Sequence, residues 1–99
     1  MRLTTEQQNI IKQEVSAEFG DKAEVWLFGS RVDDSLRGGD IDLYLEVKQR
    51  ISDLLQAEMR LYAGLIRKLG DQRIDIVIHQ FGRETKQIHK QARKTGIQL

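Results

Sequence analysis

Ninety-nine residues with no cysteine and no proline suffice for one small domain, and they exclude disulfides and cysteine-ligated zinc or iron–sulfur sites. Hydrophobic residues at 39% and charged residues at 31% fit a globular chain; with no apolar run long enough for a membrane span or a secretory signal, a reducing cytoplasm is the expected compartment. The net charge of +1 hides a split, because Phe81–Leu99 carries five cations (Arg83, Lys86, Lys90, Arg93, Lys94) against the single acid Glu84, a basic end suited to a solvated helix face or to an acidic partner.

Thr4 or Thr5 caps a first helix in which Ile11, Val15 and Phe19 recur every four residues, and Gly20 offers its stop. Ala23–Phe28 is a short apolar run that reads as a buried strand holding Trp26 in the core, and it ends at Gly29-Ser30. Beyond a polar loop, Asp40–Val47 alternates: Ile41, Leu43, Leu45 and Val47 are expected on a core, with Asp40, Asp42, Tyr44 and Glu46 on the opposite, exposed face. Ser52 is the expected N-cap of a second helix that presents Leu54, Leu55, Leu61, Tyr62, Leu65, Ile66 and Leu69 on one broad face before Gly70. Glu58 falls inside that stripe, and a carboxylate there calls for a cation such as Arg31 or Arg37. Arg73–Ile78 is a third strand, with Ile74, Ile76 and Ile78 on one face and Asp75 and His79 on the other. A basic helix over Arg83–Lys94, with a thin apolar line through Ile88 and Ala92 and with His89 on its surface, precedes a short terminal strand at Gly96–Leu99. The order α-β-β-α-β-α predicts a small α/β (α+β) fold: helices packed on a mixed sheet of three to four strands, residues 1–99 forming one domain.

The chemistry concentrates on Phe28-Gly29-Ser30, nine residues, Asp40-Ile41-Asp42-Leu43, and then Asp75. Two residues along a strand separate Cα atoms by about 6.6–7 Å with both side chains on one face, so Asp40 and Asp42 can converge on a hard cation. Asp75 joins them if its strand neighbours theirs, and three carboxylates without clustered histidine favour magnesium or manganese over zinc. A strand ending in Gly-Ser lets backbone N–H groups and a hydroxyl approach an anion, although an ordinary turn uses the same residues. Neither a Gly-x4-Gly-Lys-Ser/Thr loop nor a Gly-x-Ser-x-Gly elbow is present, which removes the P-loop and serine-nucleophile readings.

The joint pattern of Phe28-Gly29-Ser30, a nine-residue gap and Asp40-Ile41-Asp42-Leu43, with Asp75 on a later strand, resembles the signature of the DNA polymerase beta-like nucleotidyltransferase superfamily. Gly29-Ser30-Arg31 with Gly39-Asp40-Ile41-Asp42-Leu43 in so short a chain is similar, more narrowly, to the minimal nucleotidyltransferase proteins, and the likeness covers nearly the whole chain. The resemblance implies the polymerase beta-like fold and transfer of a nucleotide from an NTP, ATP for preference, with release of pyrophosphate. It implies that Gly29 and Ser30 hold the triphosphate, that Asp40 and Asp42 bind two Mg2+ ions, and that Asp75 ligates the metal at the acceptor hydroxyl and takes its proton. Arg31 stands either on a phosphate or in an ion pair with Glu58 or Asp33, and Arg37 shares that ambiguity.

Minimal nucleotidyltransferases commonly pair with HEPN-domain proteins in toxin–antitoxin modules. The implied role is therefore an antitoxin that forms a hetero-oligomer with a HEPN ribonuclease and attaches AMP to its tyrosine hydroxyl. Two other readings stand beside it: a binding-only antitoxin without transferase activity, and a nucleotidyltransferase acting on a small molecule or an RNA end. Six aromatics and no stacking platform disfavour a nucleic-acid partner.

Overall fold

A computed structural model of the chain describes residues 3–29, 40–70 and 72–99. Helix α1 (Thr5–Phe19) starts where expected: Thr4 Oγ1 accepts from the Gln7 N–H at 3.0 Å, and Gln7 Oε1 accepts from the Thr4 N–H at 2.9 Å. This reciprocal cap satisfies two otherwise orphaned donors. A 3-10 turn at Gly20–Lys22 leads into β1 (Ala23–Phe28). Strand β2 (Ile41–Val47) follows, then α2 (Leu54–Leu69), β3 (Ile74–Gln80), α3 (Gln87–Thr95) and β4 (Ile97–Gln98).

The four strands lie in the order β3-β2-β1-β4. Strand β1 runs antiparallel to β2 and to β4, while β2 and β3 are parallel and joined through α2. The expected mixed sheet with packed helices is therefore the observed architecture, and its α-β-β-α-β-α order ends in the short fourth strand.

Strand alternation divides the molecule into two unequal cores. On one face, Val25, Leu27, Ile41, Leu43, Leu45 and Val47 meet α1 through Ile11, Val15 and Phe19, and α2 through Ala57, Leu61 and Leu65. Burying each of the larger side chains contributes roughly 1.5–3 kcal/mol. Glu18 with Arg60 and Glu14 with Lys68 tie the two helices along their outer rims. On the other face, α3 covers a smaller cluster of Trp26, Tyr44 and Ala92.

Several expectations change. Tyr44 is completely buried rather than exposed, because α3 lies over its face of the sheet. His89 is likewise buried, not a surface residue, and α3 begins at Gln87 instead of Arg83. Ile88 points to solvent, so α3 buries His89 and Ala92 in place of an Ile88–Ala92 line. Asp53, one residue after Ser52, caps α2 by accepting from the Gln56 N–H at 3.1 Å. Strand β3 continues two residues past Ile78, to Gln80, whose buried Oε1 accepts from the Ile51 N–H at 2.8 Å. Leu55 and Tyr62 stand outside the core, because the small residues Ala57 and Gly64 form the close-packed side of α2.

Candidate active site

The parallel register of β2 and β3 sets Asp42 directly beside Asp75 and Ile41 beside Ile74. Neighbouring strands are about 4.8 Å apart, so two carboxylates on the same face at paired positions must meet. Asp40, just before β2, completes the group: one carboxylate oxygen from each of Asp40, Asp42 and Asp75 lies within 4.8 Å of the others. The three acids singled out from sequence spacing thus converge at one end of the sheet.

Their proximity is costly without a counter-charge. Burial and the adjacent Asp75 and Asp40 carboxylates push the Asp42 carboxyl up to about 6. Asp75 is exposed, whereas Asp40 and Asp42 are half-buried, so the cluster opens towards solvent on the Asp75 side. Three hard oxygen donors with repelling charges match a divalent cation of the magnesium or manganese type. The residues present therefore fit such an ion.

Gly29 ends β1 next to this cluster, since Phe28 is the antiparallel partner of Asp42. Its φ is +79°, and a Cβ at this position would collide with Asp42 Oδ2. The missing side chain leaves the backbone lying against the carboxylate, the kind of approach a phosphate-binding turn needs. Ser30 and Arg31, expected at the triphosphate, lie outside the described residues, as do Asp33 and Arg37. Glu58 is half-buried on α2, in a groove that Asp75 also lines; its expected partners Arg31 and Arg37 fall in the undescribed segment.

Sequence reasoning passed over Arg73, whose Nε lies 3.5 Å from Asp40 Oδ2. A usable signal was present: aligned in parallel register, Asp40-Ile41-Asp42 lies beside Arg73-Ile74-Asp75, so the cation falls opposite the first acid. The arginine is largely exposed, and it offsets part of the negative charge without closing the site.

Behind the acids, the same face of the sheet carries a polar network under α3. The Tyr44 hydroxyl donates to Glu46 Oε1 at 2.6 Å, and His79 Nδ1 donates to Glu46 Oε2 at 2.7 Å. Burial, and then the Glu46 carboxylate, hold the Tyr44 phenol in its protonated form. His79 Nε2 faces the Arg83 carbonyl at 3.0 Å; because a carbonyl only accepts, both ring nitrogens are placed to carry protons. Burial lowers the His79 pKa, but the Glu46 and Arg83 hydrogen bonds outweigh it and the net shift is upward. His89 is the converse case: its Nδ1 accepts from the Lys86 N–H at 3.0 Å, and burial and the adjacent His79 lower its pKa. Arg93 rests 5.3 Å over the Trp26 ring and 3.9 Å from Glu46 Oε1, pinning α3 to the sheet. Tyr44 and His79 are thus parts of a bracing layer that fixes the sheet on which Asp42 and Asp75 sit.

Among the described residues, no helix is long and apolar enough to cross a membrane. A family model described as "Nucleotidyltransferase domain" matches residues 9–97. No curated protein matches the chain.

Proposed function

The chain belongs to the nucleotidyltransferase domain family, and on that premise we propose that it moves AMP from ATP onto a tyrosine hydroxyl of a HEPN-domain partner, as the antitoxin of a toxin–antitoxin pair. Nucleotidyl transfer itself follows from the family; the nucleotide, the acceptor and the partner are our reading. The observation that carries it is the convergence of Asp40, Asp42 and Asp75 from adjacent parallel strands, open on the Asp75 side.

In this reading Asp40 and Asp42 would hold two Mg2+ ions, with Asp75 as a further ligand. Such ions, when bound, would supply charge neutralisation for the triphosphate and for the pyrophosphate. Gly29 admits the phosphates beside Asp42, and Ser30 adds a hydroxyl donor. Asp75, the exposed member, takes the proton of the incoming hydroxyl as its oxygen bonds to the α-phosphorus and the bond to the β-phosphate bridging oxygen breaks. Arg73 steadies Asp40 from outside the cluster. The tyrosine acceptor and the HEPN partner rest on the resemblance of Gly29-Ser30-Arg31 and Gly39–Leu43 to minimal nucleotidyltransferases.

Incubation with the product of the adjacent gene, magnesium and ATP labelled at the α- or γ-phosphate tests this. Label from the α-position alone, on a tyrosine of the partner, is the expected result. Transfer of γ-label would make the protein a kinase. Complex formation without transfer would leave a binding-only antitoxin, and labelling of an RNA end or a small molecule would reassign the acceptor.

A further inference from the structure

Beside the three aspartates, a groove of about 510 Å³ runs between the outer side of α2 and β3, the strand at the end of the sheet. Met59 and Tyr62 of α2 form one wall, Ile74 and Ile76 of β3 the other, and Glu58 and Asp75 also line it. The helix wall is apolar where solvent would select polar residues: Leu55 is 67% exposed, Met59 63% and Tyr62 44%. Their spacing of four and then three residues aligns them in one stripe, separate from the Ala57, Leu61 and Leu65 side that packs on the core.

The strand wall is equally specific. Among the described residues β3 pairs only with β2. The Arg73 carbonyl accepts from the Ile41 N–H and the Phe81 N–H donates to the Val47 carbonyl, so odd-numbered residues of β3 turn their backbone groups towards β2. By alternation the N–H and C=O groups of Ile74, Ile76 and Ile78 point to the outer edge. An open edge bordered by apolar side chains is a template for an added strand.

We infer that this groove binds an extended segment of the acceptor protein as a fifth strand on β3, with the pattern apolar–hydroxyl–apolar. The inference deepens the proposed function and rests on its reading that the acceptor is a protein. Side chains of an added strand alternate between faces. A hydroxyl residue level with Asp75 therefore shares the catalytic face, while the residues before and after it turn to the opposite face, against Met59 and Tyr62. Continuity with the catalytic cluster selects this occupant, because Asp75 belongs to both groove and triad. Glu58 and Asp75 favour a segment with a nearby cation. The transfer is balanced: the segment's hydroxyl oxygen bonds to the α-phosphorus, pyrophosphate leaves with the electrons of the broken phosphorus–oxygen bond, and the hydroxyl proton passes to Asp75.

The test is steady-state labelling of the adjacent gene's product with α-labelled ATP by the intact chain and by Met59→Glu and Tyr62→Glu, both at exposed positions. Each variant is expected to raise the acceptor KM at least about tenfold with kcat within about twofold, while stabilisation by magnesium and ATP persists. Lys90→Glu, on α3 across the sheet, is expected to change KM by less than about twofold. The labelled hydroxyl residue is expected to have apolar neighbours on both sides. Unchanged labelling by both groove variants, a loss produced by Lys90→Glu instead, or a labelled residue between two charged ones overturns the inference alone. So does sedimentation showing that the groove joins two copies of this chain. If the unaltered chain labels no protein, the protein-acceptor reading falls and this inference falls with it.

Discussion

Gly29→Ala separates the contribution of backbone strain from that of the metal cluster. At φ +79° an L-residue is disfavoured by about 1–2 kcal/mol, which for a chain of this size lowers Tm by about 4–8 °C per kcal/mol. The added methyl also collides with Asp42 Oδ2, so the carboxylate or the backbone beside it must shift from its place in the cluster. A misplacement of about 1 Å at a reacting centre costs about a hundredfold in rate, and we expect that loss at temperatures well below the unfolding transition. Gly82→Ala is the matched control. Gly82 has φ +87° in the turn after β3, closed by the Arg83 N–H donating to the Gln80 carbonyl, and a Cβ there would meet nothing within 4 Å. It should lose comparable stability and keep transfer within about twofold. Thermal unfolding with and without magnesium, paired with α-label transfer, reads both quantities. Wild-type transfer by Gly29→Ala, or an equal loss in Gly82→Ala, would refute the idea that glycine is required because of Asp42.

Asp42→Asn removes one of three crowded charges, so without metal its Tm should rise slightly, by up to about 1 kcal/mol of stability once solvent screening is allowed for. Its magnesium-dependent Tm shift and its transfer activity should both vanish; a retained shift would show that the ion binds elsewhere. Glu46→Gln tests the bracing layer. Because the folded pKa of His79 is raised above 6.5, its stabilising contribution is fully present below that pH and is lost as pH rises through the folded value. The variant should lower the His79 pKa in an NMR titration and flatten the loss of stability as pH rises above about 6.5. An unmoved His79 resonance would contradict the assignment.

The helices and strands were legible wherever a local period governs them. Four-residue spacing marks α1, two-residue alternation marks β2 and β3, and the Thr4 cap needs only Gln7 three residues away. The acidic cluster was legible too, since Asp40 and Asp42 share a face by alternation and Asp75 follows if the strands adjoin. The burial of Tyr44 and His89 was not. Both look polar and peripheral along the chain, and they become interior only because α3 folds back over the second face of the sheet. Leu55 and Tyr62 misled in the opposite direction: hydrophobicity marks them as core, yet α2 uses Ala57, Leu61, Gly64 and Leu65 for that purpose.

The sequence of ninety-nine residues without cysteine or proline determined, by itself, the order of elements and the residues able to supply hard oxygen ligands. These depend on side-chain chemistry and on backbone periodicity, both local. The tertiary structure decided which strands adjoin, hence that Asp42 meets Asp75 and Arg73 meets Asp40. It also decided which apolar stripe stays open beside Asp75. Strand order and helix coverage are set by long-range burial, because the sheet can satisfy both faces only by choosing which helix lies on each, and that choice leaves no local mark in the chain.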